Sequence, residues 1–379
     1  MSQRLVLLGC LAVVALATVL GAAWLFSLPA GTLKNGAPSV ARGETDAMLA
    51  ALKPPKRQRP VIAIIGVNEG TEATDYLMPY GILSRANVAD VLAVATKPGT
   101  VQLFPALQVE PQSTTDAFDQ QYPAGADYVI VPAMQRDDDP LALQWIRRQA
   151  SKGAIVIGIC AGAKVVAEAG LLDGKKATTH WYYLKEMLER HPAIQYVPNR
   201  RIVVDRGVVT TTGISASMPM SLTLIEAIAG RQKAEDVARQ LGLAQWDLRH
   251  DSEAFKFTRP FAMSVMGNKL AFWKHEGVII DLRPNVDEVS LALVADMWSR
   301  TYRSRATTFS TSAEPRRTRG GLLIVPDKVW AKTPAGQQVL AIENAPPAKV
   351  LDDTLRAIAV RYGTPTSDVV AMQLEYSHR

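Results

Sequence analysis

The polarity pattern changes character several times along the chain. From Leu5 to Leu28 there are 24 residues without a charge, mostly Leu, Val and Ala. About 20 such residues suffice for a helix to span a bilayer. Arg4 precedes the run, and Trp24 and Phe26 lie near its far end, where aromatic rings favour the membrane interface. Residues 1–28 are therefore expected to form a transmembrane anchor. A cleaved signal peptide is the competing reading, although its apolar region is ordinarily about 7–15 residues. Residues 29–58 mix Pro, Gly and charges without periodicity and read as a tether.

Beyond the tether, short continuous apolar runs alternate with helical patterns. Val61 to Ile65, Val91 to Ala95, Tyr128 to Val131 and Ala154 to Ile159 read as strands buried on both faces. Tyr76 to Ala86 and Leu141 to Ser151 read as helices, with Gly153 just past the second. Ala163 to Ala169 starts another helix directly after Cys160-Ala161-Gly162. Strands alternating with helices predict a parallel sheet covered on both faces.

Composition narrows the function classes. The 379 residues are 48% hydrophobic and 21% charged, with a net charge of +6, so the bulk of the chain is globular. That excess is too small to argue for nucleic acid. The basic cluster Arg300, Arg303, Arg305, Arg316, Arg317 and Arg319 reads first as a solvated surface, and otherwise as a lipid-facing or nucleic-acid-facing loop. Two cysteines, Cys10 and Cys160, leave one thiol outside the anchor and no intrachain disulfide. The five histidines are scattered without metal-ligand spacing, so no metal and no cofactor are expected.

Cys160 stands where a buried strand meets a helix. The following N–H groups and the helix dipole would lower its pKa and could hold an oxyanion. A buried apolar cysteine beside a turn is the alternative. Ile159-Cys160-Ala161-Gly162, Ala169-Gly170-Leu171-Leu172-Asp173-Gly174 and Ala177-Thr178-Thr179-His180-Trp181 together resemble the ThiJ/PfpI superfamily. Val208 to Gly213 and Ser221 to Ala229 continue the pattern. The resemblance is closest to the amidase-like domain of GlxA-type regulators and covers about half of the chain. It implies a flavodoxin-like α/β domain over residues 59–245 with Cys160 on a nucleophile elbow. In Gly70-Thr71-Glu72-Ala73-Thr74-Asp75, Asp75 falls on the position where the family pairs its cysteine with a carboxylate. A helix N-cap is the alternative for Asp75. His180 matches a position where many members carry a histidine, as a base or an orienting group; a satisfied polar residue lining the pocket or an interface is the alternative. Ala161 and Ala133 are the candidate oxyanion donors, and Glu72 and Trp181 candidate pocket residues.

Two departures from the family pattern are visible. Ala133-Met134 follows Pro132 where Gly-Gly is usual, which weakens that oxyanion donor. Ala161 replaces the Thr of the isonitrile-hydrating members, which removes support for that reaction. The run Arg136 to Pro140 reads as a solvated helix start, with a place on the rim of the site as the alternative. The helix-turn-helix module of the regulators has no counterpart. Residues 246–379 instead carry a faint internal repeat. Gly277 to Asp281 looks like another first strand, Val289 to Tyr302 the next helix and Ala306 to Ser310 another strand. Pro315 to Asp327 resembles the family's Gly-Gly-Leu…Pro-Asp segment, at the place that Gln102 to Pro111 holds in the first copy, and Leu355 to Leu374 resembles Leu224 to Leu241. This predicts a second, abbreviated ThiJ/PfpI-like unit without the elbow.

The expected protein is thus a single-pass inner-membrane protein with an exported soluble part. Its function is a cysteine-dependent hydrolase or lyase acting on a small carbonyl or amide-type compound, or alternatively a non-catalytic ligand-binding or redox-sensing module. The expected partners are a small molecule, the membrane through the N-terminal helix and, as an option, a second copy of the chain, with no nucleic acid.

Overall fold

A computed structural model describes residues 3–32, 36–332, 339–342 and 344–377. Helices α1 (Gln3–Ser27) and α2 (Arg42–Ala51) precede strand β1 (Val61–Gly66). There follow β2 (Glu69–Glu72), α3 (Ala73–Ala86), β3 (Asp90–Ala95), β4 (Val101–Phe104), β5 (Gln108–Glu110), β6 (Ser113–Thr114), α4 (Thr115–Gln121) and β7 (Tyr128–Val131). The segment around Cys160 holds α5 (Pro140–Ser151), β8 (Ile155–Gly158) and α6 (Gly162–Glu168). Next are β9 (Lys176–Ala177), α7 (Leu184–Arg190), β10 (Gln195–Tyr196), β11 (Ile202–Asp205), β12 (Val208–Thr211), α8 (Ser217–Ala229) and α9 (Arg231–Leu241). The remainder gives α10 (Arg259–Leu270), β13 (Glu276–Asp281), α11 (Glu288–Ser299), β14 (Ser304–Ser310), β15 (Arg316–Arg317), β16 (Leu323–Ile324), β17 (Lys328–Val329), β18 (Val339–Ala341), α12 (Pro347–Tyr362) and α13 (Thr364–Leu374).

The main sheet has the order β11-β12-β8-β7-β1-β3-β6. Its strands run parallel except β11, which returns antiparallel to β12 through Arg206-Gly207. The sheet is therefore mixed, where the apolar runs alone predict a parallel one, because a two-residue turn permits only an antiparallel return. Side chains of β1 alternate between two cores. Ile62 and Ile64 pack with α3 and α8, while Val61, Ala63 and Ile65 pack with α5 and α6. That two-sided burial is why β1 shows no polar alternation.

Three further sheets hold the rest, the smallest being the parallel pair β10-β9. A four-stranded parallel sheet, β17-β14-β13-β18, comes wholly from residues after 275. A five-stranded sheet, β15-β16-β5-β4-β2, joins the two parts of the chain through the antiparallel pair β5–β16. Helix α11 lies against α3, and their buried side chains belong to one hydrophobic core.

The segment read as a tether is partly structured. Within it, α2 buries Met48, and Leu52 just past its end is 3% exposed. The carboxylate of Asp127 accepts from the Lys56 N–H, the Arg57 guanidinium and the Val61 N–H. Scattered hydrophobic residues without helical spacing concealed this docking.

The junction of β8 and α6 tolerates no side chain at residue 162. A Cβ there would lie 2.0 Å from the Val131 carbonyl oxygen. Gly162→Ala should therefore cost about 3 kcal/mol or more, the top of the overpacking range. Gly174→Ala, at φ +63 in open space, should cost only about 1–2 kcal/mol. Chemical denaturation of the two variants measures this, and equal losses would contradict the close approach.

Candidate functional site

Cys160 has φ +56, in the left-handed region that L-residues other than Asn and Asp rarely enter. Such a conformation costs about 1–2 kcal/mol and persists only where the surroundings fix it. Here three hydrogen bonds do so. The Cys160 N–H donates to Thr211 Oγ1 at 3.1 Å, the Thr179 hydroxyl donates to the Cys160 carbonyl at 3.0 Å, and the Gly162 N–H donates to the Ile159 carbonyl at 2.7 Å. β12 and the loop after β9 thus hold the turn from both sides. The side chain is 5% exposed, and it lines a cavity of about 610 Å3 together with Glu72, Ala161, His180, Trp181 and Arg300.

Glu72, not Asp75, caps α3, accepting from the Thr74 N–H at 3.5 Å and the Thr74 hydroxyl at 2.9 Å. Asp75 lies in the first turn, fully buried. Its Oδ2 accepts the Ala133 N–H at 3.1 Å, while Oδ1 has no hydrogen-bond partner among the described residues. Burial, then the neighbouring Glu72 carboxylate, raise the Asp75 pKa well above the ordinary range. The raised pKa favours a proton on the Asp75 carboxyl.

Burial also pushes the Cys160 thiol well up, followed by the carboxylates of Asp75, Glu72 and Glu375; the Ala161 N–H acts in the opposite direction. The low thiol pKa expected from the helix start is thus corrected. Desolvation and three acidic neighbours outweigh the dipole of α6, which is under two turns long. Protonation of Asp75 removes the largest of those charge repulsions.

Ala133 and His180, each left between two readings by the sequence, both have their polar groups engaged. The Ala133 N–H is committed to Asp75, so it is not a free oxyanion donor. His180 uses both ring nitrogens: Nδ1 accepts from the Tyr182 N–H at 3.1 Å, which leaves Nε2–H to donate to the Gln373 carbonyl at 2.9 Å. Burial lowers its pKa. His180 is a neutral link between the loop after β9 and α13, with no lone pair left for a thiol proton. Ala161 and Trp181 line the cavity; the Trp181 indole donates to the Met372 carbonyl at 2.9 Å. Asp139 caps α5, and Asp137 reaches the cavity rim, where it binds Lys164 at 2.9 Å.

Two further groups of the site carry no local signature in the chain. Arg300 is mostly enclosed, its side chain 16% exposed, with Nε 2.7 Å from Asp296 and Nη2 3.0 Å from Glu72. It is therefore not part of a solvated basic surface. Burial pushes the Asp296 pKa up to about 7, against the pull of Arg300. Glu375 is 1% exposed and accepts the backbone N–H groups of Trp181 at 2.5 Å and Gly213 at 2.8 Å.

Residues 61–227 match the DJ-1/PfpI family. The chain is also 34% identical over 179 residues to isonitrile hydratase of Pseudomonas putida, spanning 45% of this chain and 73% of that protein. The chain belongs to the DJ-1/PfpI family. It is 33% identical over 125 residues to the HTH-type transcriptional regulator CdhR of Pseudomonas aeruginosa, covering 33% of this chain and only 37% of that one. The crystal structure of Drosophila melanogaster DJ-1beta aligns with a TM-score of 0.44 at 23% identity, over 49% of this chain and all of that one. DJ-1/PfpI relatives thus include both an enzyme and regulators, and the cavity around Cys160 must be read on its own chemistry.

The raised Asp75 pKa has a consequence for stability. A carboxyl with a raised folded pKa contributes fully below its unfolded value, about 3.9, and the contribution is lost as pH rises through the folded pKa. Asp75→Asn mimics the protonated acid, so its stability relative to the native chain should improve from pH 5 to pH 9. Denaturation at both pH values measures this, and a pH-independent difference would contradict a proton on Asp75.

Proposed function

We propose that this DJ-1/PfpI protein is a membrane-anchored, cysteine-dependent hydrolase or lyase acting on a small carbonyl or amide-type compound. The observation that carries the reading is the strained Cys160 turn, aimed into a cavity and set among Asp75, Glu72 and Arg300. When the Cys160–Asp75 pair holds one proton, its thiolate–carboxylic acid form is the reactive one. Cys160 Sγ attacks the carbonyl carbon, and the C=O π electrons move to oxygen, which faces the Ala161 N–H. Collapse of the adduct expels the leaving group, which takes the Asp75 proton, and water then cleaves the thioester with Asp75 receiving a proton. His180 positions the loop and α13, and needs no proton transfer. Ala161 stands where isonitrile-hydrating relatives have Thr, so another substrate is favoured.

One observation favours a second reading as a ligand-binding or redox-sensing module. With the Ala133 N–H taken by Asp75, a single oxyanion donor remains. The likeness to CdhR accords with sensing, although this chain spans about a third of that regulator's length.

The anchor reading rests on α1, whose Cys10–Ser27 stretch has a mean hydropathy of 2.2 and no burial. A signal sequence would share those properties. In favour of an anchor, the Arg259 guanidinium donates to the carbonyls of Leu25, Phe26 and Leu28, closing the end of α1 against α10. Beside it Met263, Met266, Leu270, Phe272 and Trp273 are all exposed, and an interfacial position would cover them.

Two measurements test these readings. The full chain in detergent is incubated with small amides, aldehydes and isonitriles, with Cys160→Ser as control. Turnover reduced at least ~1000-fold by the substitution is expected of a nucleophile. Binding that stabilises both proteins, without turnover, would favour the sensor. Separately, the full-length chain should sediment with membranes and resist alkaline extraction. Intact chain in the soluble fraction, or a mature amino terminus near residue 30, would contradict the anchor.

A further inference from the structure

Strand pairing after residue 275 reproduces pairing near the start of the domain 215 positions on, with a one-residue shift in the first ladder. The parallel ladder that pairs Val61 with Asp90 recurs one residue out of register, with Glu276 paired to Ser304 and Gly277 to Arg305. Val94↔Ser113 corresponds to Phe309↔Lys328, and Val101↔Val109 to Arg316↔Ile324. α3 and α11 start at Ala73 and Glu288, again 215 apart. The closing helices follow at an offset of 133: Gly230 (φ 86) and Gly363 (φ 89) separate α8 from α9 and α12 from α13. The difference between the offsets, 82 residues, is the stretch that in the first part holds α5, β8 and Cys160.

The two parts meet as two copies would across a two-fold axis. Val109 pairs with Ile324, its own equivalent, in the β5–β16 ladder. The carboxylates that cap α3 and α11, Glu72 and Asp287, are equivalent, as are Arg85 and Arg300 at the far ends of those helices. Arg85 binds Asp287, and Arg300 binds Glu72. Reciprocal contact of this kind defines an isologous interface.

Building on the proposal that Cys160 is a reactive nucleophile, we propose that residues 276–375 are a built-in second subunit, and that Arg300 is the positioning residue it delivers to the Cys160 cavity. The two ends of the pseudo-dimer differ in ways that fit this task. Only one end has a cysteine. There Arg300 is held by Asp296, whose equivalent at the other end is Gly81. Arg300 offsets the charge of Glu72, which would otherwise oppose ionisation of Cys160. The charged and titratable groups facing Cys160 are Asp75 and Glu72 from the start of α3, Arg300 from the end of α11, Glu375 beyond α13, Lys164 on α6, and His180 and Tyr183 beyond β9. Arg300 is the cation among them that contacts Glu72, whereas Lys164 is engaged by Asp137 and Glu186 at 2.9 Å and 2.7 Å.

The test uses iodoacetamide alkylation of the full chain as a function of pH, read at Cys160 by peptide mass spectrometry, with thermal unfolding alongside. Arg300→Met should move the alkylation profile at least one pH unit upward, about a tenfold slower rate below the midpoint. Arg85→Met breaks the equivalent ion pair at the cysteine-free end. It should lower the unfolding temperature comparably and leave the profile within about twofold of the native one. Arg300→Lys should restore most of the native profile. If Arg300→Met does not fold, the double variant Glu72→Gln/Arg300→Met removes the uncompensated charge and should alkylate within about threefold of Glu72→Gln. An unshifted Arg300→Met profile, an equal shift from Arg85→Met, or a double variant that remains slow would overturn the proposal. A native Cys160 that never alkylates would instead overturn the nucleophile reading beneath it.

Discussion

The structure depends on how a left-handed cysteine is held at the end of a buried strand. Without the close approach of Gly162 to Val131, α6 could not begin directly beneath the turn, and Cys160 would relax to an ordinary extended conformation. The hydroxyls of Thr211 and Thr179 fasten the two sides of the turn. Each comes from an element distant in sequence, so the main sheet must be complete before the thiol is aimed. The strain is local, and the rest of the domain keeps it in place.

Electrostatics then set what that thiol can do. Asp75, Glu72, Asp296 and Glu375 crowd acidic groups into a region with little water, and Arg300 lies among them. In such surroundings a charge is retained only where it is paired, and the unpaired carboxyl keeps its proton. Asp75, with one oxygen occupied by the Ala133 N–H and the other without a partner, is the group that does so. The same proton that makes Asp75 neutral relieves the repulsion on Cys160 and supplies an acid for the chemistry proposed.

The legible part of this arrangement is the part that is local in sequence. β1, β3, β7 and β8 stand out as uninterrupted apolar runs because both faces of the sheet are covered. Cys160 stands out because a strand, a cysteine, a glycine and a helix follow one another within a few residues. For Ala133 and His180 the choice between readings stayed open, because their partners, Asp75 and Gln373, lie 58 and 193 residues away. Arg300 looked like one of a surface run of arginines for the same reason, since nothing near it in sequence announces Glu72. The docking of α2 was hidden because a short helix with few apolar residues gives little periodicity.

The central claim is that Asp75 is a neutral acid beside Cys160, and infrared difference spectroscopy of the full chain at neutral pH tests it most directly. Subtracting the Asp75→Asn spectrum from the native one should leave a protonated carboxylic acid band that shifts when Cys160 is alkylated. A difference spectrum showing only carboxylate bands, or an acid band indifferent to alkylation, would contradict the account.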